Sequence, residues 1–191
     1  DVSVQLQVHS TRRTGWSVAN GQIDLAIIGG QLPGDLENLL QVIPYATDEL
    51  ALVLPSKHPL SNKKELLKED LYKLNFVTLD SQSTTRKVVD KLLKDSGLDI
   101  QRLKIEMELN SLEAIKNAVQ SGLGASFLPV VSIERELAAG TIHKAFIADL
   151  EVKRELKLIT NPSRYTSRAS EVFKKNILPQ FASFESPLRE S

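Results

Sequence analysis

Ile105-Glu106-Met107-Glu108-Leu109-Asn110-Ser111 opens a segment that runs through Leu112, Ile115 and Val119 to Ser121-Gly122 and on to Ala125-Ser126-Phe127-Leu128, and the chain contains this segment twice. Sliding the sequence by 101 positions sets it, without a gap, against Val4-Gln5-Leu6-Gln7-Val8-His9-Ser10, a helix-like stretch through Trp16 and Val18, then Asn20-Gly21 and Leu25-Ala26-Ile27-Ile28. Each copy reads strand, helix, glycine stop, strand. The leading strands alternate with period two, and Gly21 and Gly122 fall where a helix C-terminus wants positive φ. Asn110 is placed to cap the second helix, with Glu113 three residues on completing a capping box. Strand–helix–strand with a tight glycine stop is the βαβ unit, with parallel strands and a right-handed crossover. Two copies in one chain predict two similar α/β lobes.

Working outward, Phe76-Val77-Thr78-Leu79 is a further strand, followed by a helix opening in Ser81-Gln82-Ser83-Thr84-Thr85-Arg86 with Val88, Val89, Leu92 and Leu93 on one face and Gly97 as its stop. Shifted back by 101 positions, the counterpart of this strand and helix falls before Asp1. The first lobe is therefore expected to lack its leading strand and helix, and a chain that starts without Met reads as a fragment or a processed product. Between the lobes, Glu49 to Leu54 is a strand ended by Pro55, and Glu69 to Leu74 a short helix. After the second copy, Ser132 is expected to cap a short helix reaching Gly140. Ile142–Ile147 and Glu155–Ile159 read as strands, and a last helix from about Thr166 stops at Pro179. The predicted division is residues 1–73 with 161–191 in one lobe and 74–160 in the other, joined by two crossings. Open α/β sheets bind ligands outside the carboxyl ends of their strands, which places a ligand cleft between the lobes.

Composition narrows the chemistry. Lys and Arg number 24, as do Asp and Glu, in a chain of 191 residues that is 41% hydrophobic. Zero net charge offers no overall attraction to phosphate backbones or anionic lipid. Cysteine is absent, which excludes disulfides, iron–sulfur clusters and thiolate zinc sites. His9, His58 and His143 lie far apart without metal-ligand spacing, and no run approaches the length of a membrane span. No metal, cofactor or membrane is expected. Gly122-Leu123-Gly124 hints at a dinucleotide fingerprint, but residue 127 is Phe and the run enters a strand instead of opening a helix. There is no phosphate-binding GxxxxGK and no GxSxG elbow, and Glu106 with Glu108 reads as a solvated strand face. No enzyme is expected.

The segment from Ser81 to Arg86 differs. Hydroxyls, backbone N–H groups and a guanidinium converge at the positive end of a helix dipole, which suits an anion. The alternative is that Ser81 or Ser83 only caps the helix and Arg86 is solvated. The polar turns at Ser10-Thr11-Arg12 and Asn110-Ser111 end equivalent strands of the two copies, so Thr11 and Asn110 are expected to face the same cleft.

Several runs then resemble one family together. They are Gly21-Gln22-Ile23-Asp24-Leu25-Ala26-Ile27-Ile28-Gly29-Gly30, Asp48 to Pro55, His58-Pro59-Leu60, Ser111-Leu112-Glu113-Ala114-Ile115-Lys116, and Gly122-Leu123-Gly124-Ala125-Ser126-Phe127-Leu128-Pro129. In order, over nearly the whole chain, they resemble the effector-binding domain of LysR-type transcriptional regulators. Pro44-Tyr45 and the run from Gly29 to Gly34 are most similar to the subgroup controlling carbon-fixation and inorganic-carbon-uptake genes in autotrophic bacteria, cyanobacteria and plastids. The resemblance implies two Rossmann-like lobes of the periplasmic-binding-protein type, and a small anionic effector: a sugar phosphate, a phosphorylated C2 acid, 2-oxoglutarate or a nicotinamide nucleotide. It adds Gly29 and Phe127, which lie in its motifs, to the candidate effector residues Thr11, Ser81, Gln82, Ser83, Thr84, Thr85, Arg86 and Asn110. It further implies a homodimer or dimer of dimers that reaches DNA through a winged helix-turn-helix not contained in this sequence, in the cytoplasm or a plastid stroma. A solute-binding protein of a transporter is the alternative on the same fold.

Overall fold

Leu50-Ala51-Leu52-Val53-Leu54 is apolar on both faces because both are covered, as in the interior strands of α/β sheets. In the computed structural model, which describes residues 4–179, it is the second half of the long strand β2 (Gln41–Pro55). Leu50, Leu52 and Leu54 point into one core with Phe76, Val89 and Leu93, while Val53 points into another with Val77, Ile115, Val119 and Leu128. The chain divides into two units, residues 1–47 with 154–191 and residues 48–153. The boundaries thus lie at 47/48 and 153/154, inside strands, whereas the sequence reading drew them at 73/74 and 160/161. The cause is packing: the apolar run of β2 and the segment up to Leu74 belong to the same core as Phe76.

The second unit carries β3 (Asn75–Leu79), α3 (Thr84–Asp95), β4 (Lys104–Leu109), α4 (Leu112–Gln120), β5 (Ser126–Pro129), α5 (Glu134–Ala138) and β6 (Ile142–Ala145). β3 and β4 are parallel. β5 leaves Ala125 beside Phe76 in a parallel bridge, and β2 lies antiparallel between β5 and β6. Gly122 ends α4 at φ +83°, and a side chain at Gly124 would meet the Asn75 carbonyl oxygen at 2.7 Å. The first glycine is there for its left-handed backbone, the second because two strands pass too closely for a Cβ.

The first unit has α1 (Thr11–Ala19), β1 (Leu25–Ile28), α2 (Gly34–Glu37), the first half of β2, β7 (Lys153–Thr160) and α6 (Arg168–Val172), the last continued by a π-helical turn to Ile177. Its strands run in the order β1-β7-β2. Val18, Ile28, Leu32, Leu36, Leu40 and Ile159 form its core.

The 101-residue shift carries α1 onto α4, Gly21 (φ +69°) onto Gly122 and β1 onto β5. The leading strand does not follow. Residues 4–10 are irregular, with Val4, Leu6 and Val8 65%, 88% and 85% exposed. β4 is held by β3, whereas no strand among the described residues is paired with residues 4–10, and an extended segment with neither ladder nor buried face has nothing to fix it. Two expected caps also move by a residue. Ser111, not Asn110, caps α4, and Glu113 pairs with Lys116 instead of closing a capping box. Ser132 donates its hydroxyl to the Pro129 carbonyl, so α5 starts later, at Glu134.

Candidate functional site

In the second unit the carboxyl ends of β3 and β4 lie side by side, tied by the Asp80 N–H donating to the Leu109 carbonyl at 3.1 Å. Each strand turns there directly into a helix, α3 after Ser83 and α4 after Ser111. Two positive helix ends therefore open at one edge of one parallel strand pair. Of the sequence-predicted residues, Ser81, Gln82, Ser83, Thr84 and Thr85 line the α3 entrance and Asn110 the α4 entrance.

The α3 turn is closed by Asp80. Its carboxylate accepts the Gln82 N–H at 2.9 Å, and its carbonyl accepts the Ser83 N–H at 3.0 Å. With that turn made by aspartate, Ser83 stands at the N-cap without a side-chain capping bond. The other serine N-caps behave differently: Ser10, Ser111 and Ser167 each accept the N–H three residues on, from Arg13, Ala114 and Ser170. The Ser83 hydroxyl is therefore not occupied in holding the helix, which answers the reading of it as a mere cap. The signal was in the sequence, since Asp followed by two polar residues at a strand end is an Asx-turn pattern.

Arg86 is not solvated, nor is it aimed out of the helix entrance. Only 15% of its side chain is exposed. Its Nε donates to both oxygens of Asp90 at 2.8 Å, and its Nη1 donates to the Thr78 hydroxyl, to the Leu79 carbonyl at 3.3 Å and to Glu108 at 3.4 Å. The guanidinium thus joins α3 to the last residues of both strands. Sequence reasoning placed Thr78 only in a strand and Glu108 on a solvated strand face, and it did not name Asp80 or Asp90. Only the Arg86–Asp90 spacing of four could have suggested a helical pair.

Phe127 shares one cavity with Thr85 and Arg86 at the start of α3 and with Thr78 and Leu79 at the end of β3. It stacks on Phe76 with ring centroids 6.2 Å apart, and the two rings wall this cavity of about 30 Å³ beneath α3, which Val89 and Ser126 also line. That is room for about one water molecule.

Thr11 and Gly29 belong to the first unit. Thr11 is the first residue of α1, behind the Ser10 cap. Gly29 follows β1 and is packed from within its own unit: a side chain there would meet the Arg154 guanidinium at 3.1 Å and Leu156 at 3.2 Å. The glycine makes space for Arg154.

Among the described residues no cluster of His, Asp or Glu could hold a metal ion, and no helix is long and apolar enough to cross a membrane.

A family model described as the LysR substrate binding domain matches residues 1–182. Relatives named as probable RuBisCO transcriptional regulators are 61% identical in Synechocystis sp. and 62% identical in Trichormus variabilis. Each match covers 95% of this chain but only 53% and 54% of the relative. A plastid-bearing alga, Porphyra purpurea, has one that is 59% identical over 94% of this chain and 57% of its own length. The chain spans about half the length of the curated relatives it matches. Among solved structures, the regulatory domain of CcmR from Synechocystis PCC6803, in complex with 2-PG, superposes with a TM-score of 0.81 at 23% identity, covering 96% of this chain and 85% of that one. The effector-binding domain of QuiR, in complex with shikimate, gives 0.74 at 22% identity, covering 91% and 78%. These likenesses show the fold, the two-lobed α/β architecture expected from the internal repeat.

Proposed function

Because the chain belongs to the LysR substrate-binding-domain family, we propose that it is the metabolite-sensing part of a transcriptional regulator of carbon-fixation genes, and that a small anionic effector seats where α3 and α4 begin in the second unit. About 60% identity to relatives named as RuBisCO regulators supports the regulatory role over that of a transporter's solute-binding protein. The observation that carries the site is Ser83: a hydroxyl at a positive helix end, beside a second helix start, that the fold itself does not use. Helix starts and hydroxyls suit phosphate or carboxylate oxygens. The 2-PG held by CcmR supports an effector of this class and makes 2-PG the first probe. Binding of that ligand would alter the geometry of a homodimer or dimer of dimers whose DNA contacts lie elsewhere in the full protein, in a cytoplasm or a plastid stroma. No catalytic role is proposed for any residue.

Calorimetric titration tests the site. 2-PG should bind the wild-type chain, and Ser83→Ala should weaken binding by roughly 1–3 kcal/mol, the range for a hydrogen bond to a charged group. The thermal midpoint should stay nearly constant, because the hydroxyl makes no capping bond. Unchanged affinity in the variant would place the effector elsewhere.

A further inference from the structure

Arg86 looks at first like the natural partner for an anion at the α3 start, yet its guanidinium is hydrogen-bonded to Asp90, Thr78, Leu79 and Glu108 of the protein itself. Two of its acceptors, Thr78 and Leu79, are the last residues of β3, the strand that delivers the turn. A third, Glu108, is the penultimate residue of β4, the strand that delivers the α4 start. The fourth, Asp90, lies one turn further along α3 itself. One planar group with fixed donor directions therefore touches β3, β4 and α3 at once. Guanidinium is suited to this, because a lysine ammonium is a single point that cannot span several acceptors in a plane. The charge balance points the same way. Asp90 and Glu108 are both within bonding distance of Arg86, so its one positive charge is shared between two carboxylates and little of it is left for an external anion.

Resting on the effector site proposed above, we propose that Arg86 is a positioning residue of that site: it sets the start of α3 against the ends of β3 and β4, and does not itself bind the effector.

Asp90→Ala separates this from simple electrostatics. It deletes a carboxylate near an anion site, so a direct charge effect would tighten binding of 2-PG. Loss of the anchor that orients Arg86 should instead weaken it, by roughly three- to thirtyfold, the range for residues that act on a site through a contact network. Arg86→Lys should weaken binding nearly as much as Arg86→Gln, and the salt dependence of the remaining affinity should be the same in both, because the lost contact is not to the ligand. Tighter binding by Asp90→Ala, or near-wild-type binding by Arg86→Lys, overturns the proposal. So does unchanged affinity in all three variants well below their thermal midpoints, which would make the network purely structural. Amide hydrogen exchange without any ligand keeps the two readings apart: Arg86→Gln should speed exchange across residues 80–87, and unchanged protection there overturns the positioning role. If wild type binds no 2-PG while exchange does speed up, the effector site falls and takes the positioning role with it, leaving Arg86 as a structural anchor of α3.

Discussion

Asp70 shows how one side chain can carry a pH dependence. It is buried, and its carboxylate accepts from Lys73 Nζ at 2.8 Å, from Lys63 Nζ at 3.1 Å and from the Leu67 N–H at 3.1 Å. The Lys73 bond most of all, then the Leu67 and Lys63 bonds, overcome the opposing effect of burial and hold its pKa at about 2. An unfolded aspartate titrates near about 3.9. The folded value is the lower one, so the stabilisation is complete above that unfolded value and is lost as pH falls through about 2. Asp70→Asn should therefore lower stability near neutral pH and flatten its dependence between about pH 4 and about pH 2, which urea titrations across that range will show. Nothing local marks this residue among the charges of the 63–73 segment. Its burial depends on Leu66, Leu71 and Leu74 packing into the core of the second unit, and that is a long-range fact. The partners of Arg86 are hidden from the sequence for the same reason. The sequence shows a guanidinium in a first helical turn, but Thr78 and Glu108 reach it from two strands.

At the level of elements, the internal repeat was legible because periodicity, glycine stops and strand apolarity are local signals. Hence α1 and α4, and β1 and β5, match at one shift. What failed was whatever needed a neighbour. Residues 4–10 alternate like a strand but have no paired strand among the described residues, and the cap of α4 was placed one residue early because an apolar pattern does not resolve helix ends to single positions. Lys116 is another such case. It lies next to Ile115 in α4, nearly buried, and its ammonium donates to Glu113 at 2.7 Å, to Glu136 at 2.9 Å and to the Ser132 carbonyl at 3.1 Å. It thereby pins α4 to α5 and the turn before it. Glu113 and then Glu136 raise its pKa, and Lys116 lowers that of Glu136. One oxygen of Glu136, Oε2, is buried without a hydrogen-bond partner, so this carboxylate depends on the lysine for its compensation. Lys116→Met should destabilise by about 3–5 kcal/mol, the cost of leaving a buried charge unpaired, and adding Glu136→Leu should recover much of that loss. A double-mutant cycle by chemical denaturation checks this; additive losses would mean that the two side chains do not act as a pair.

For the whole molecule, the balance of 24 basic against 24 acidic residues is matched by how the charges are spent. Lys63 and Lys73 face Asp70, Lys91 faces Asp95, Lys144 faces Glu49, Lys153 faces Glu151 and Lys157 faces Glu155, while Arg86 and Lys116 each serve two carboxylates. Affinity for a nucleic-acid backbone comes from cations that replace condensed counterions, and a cation already paired within the protein must give up one partner to gain another. With zero net charge, and with these eight of its 24 basic residues so engaged, the chain has no net attraction for a phosphate chain, although a single small anion can still be held by dipoles and hydroxyls that carry no net charge. The two kinds of binding should therefore separate cleanly in this chain. At about 150 mM salt, the 191-residue chain should give no mobility shift of duplex DNA at concentrations up to about 1 μM, with or without saturating 2-PG, since even ordinary non-specific binders have dissociation constants of about 10⁻⁴–10⁻⁶ M. A shift at submicromolar protein that weakens steeply with salt would reveal a basic face that the pairing conceals, and would place DNA contact in this chain.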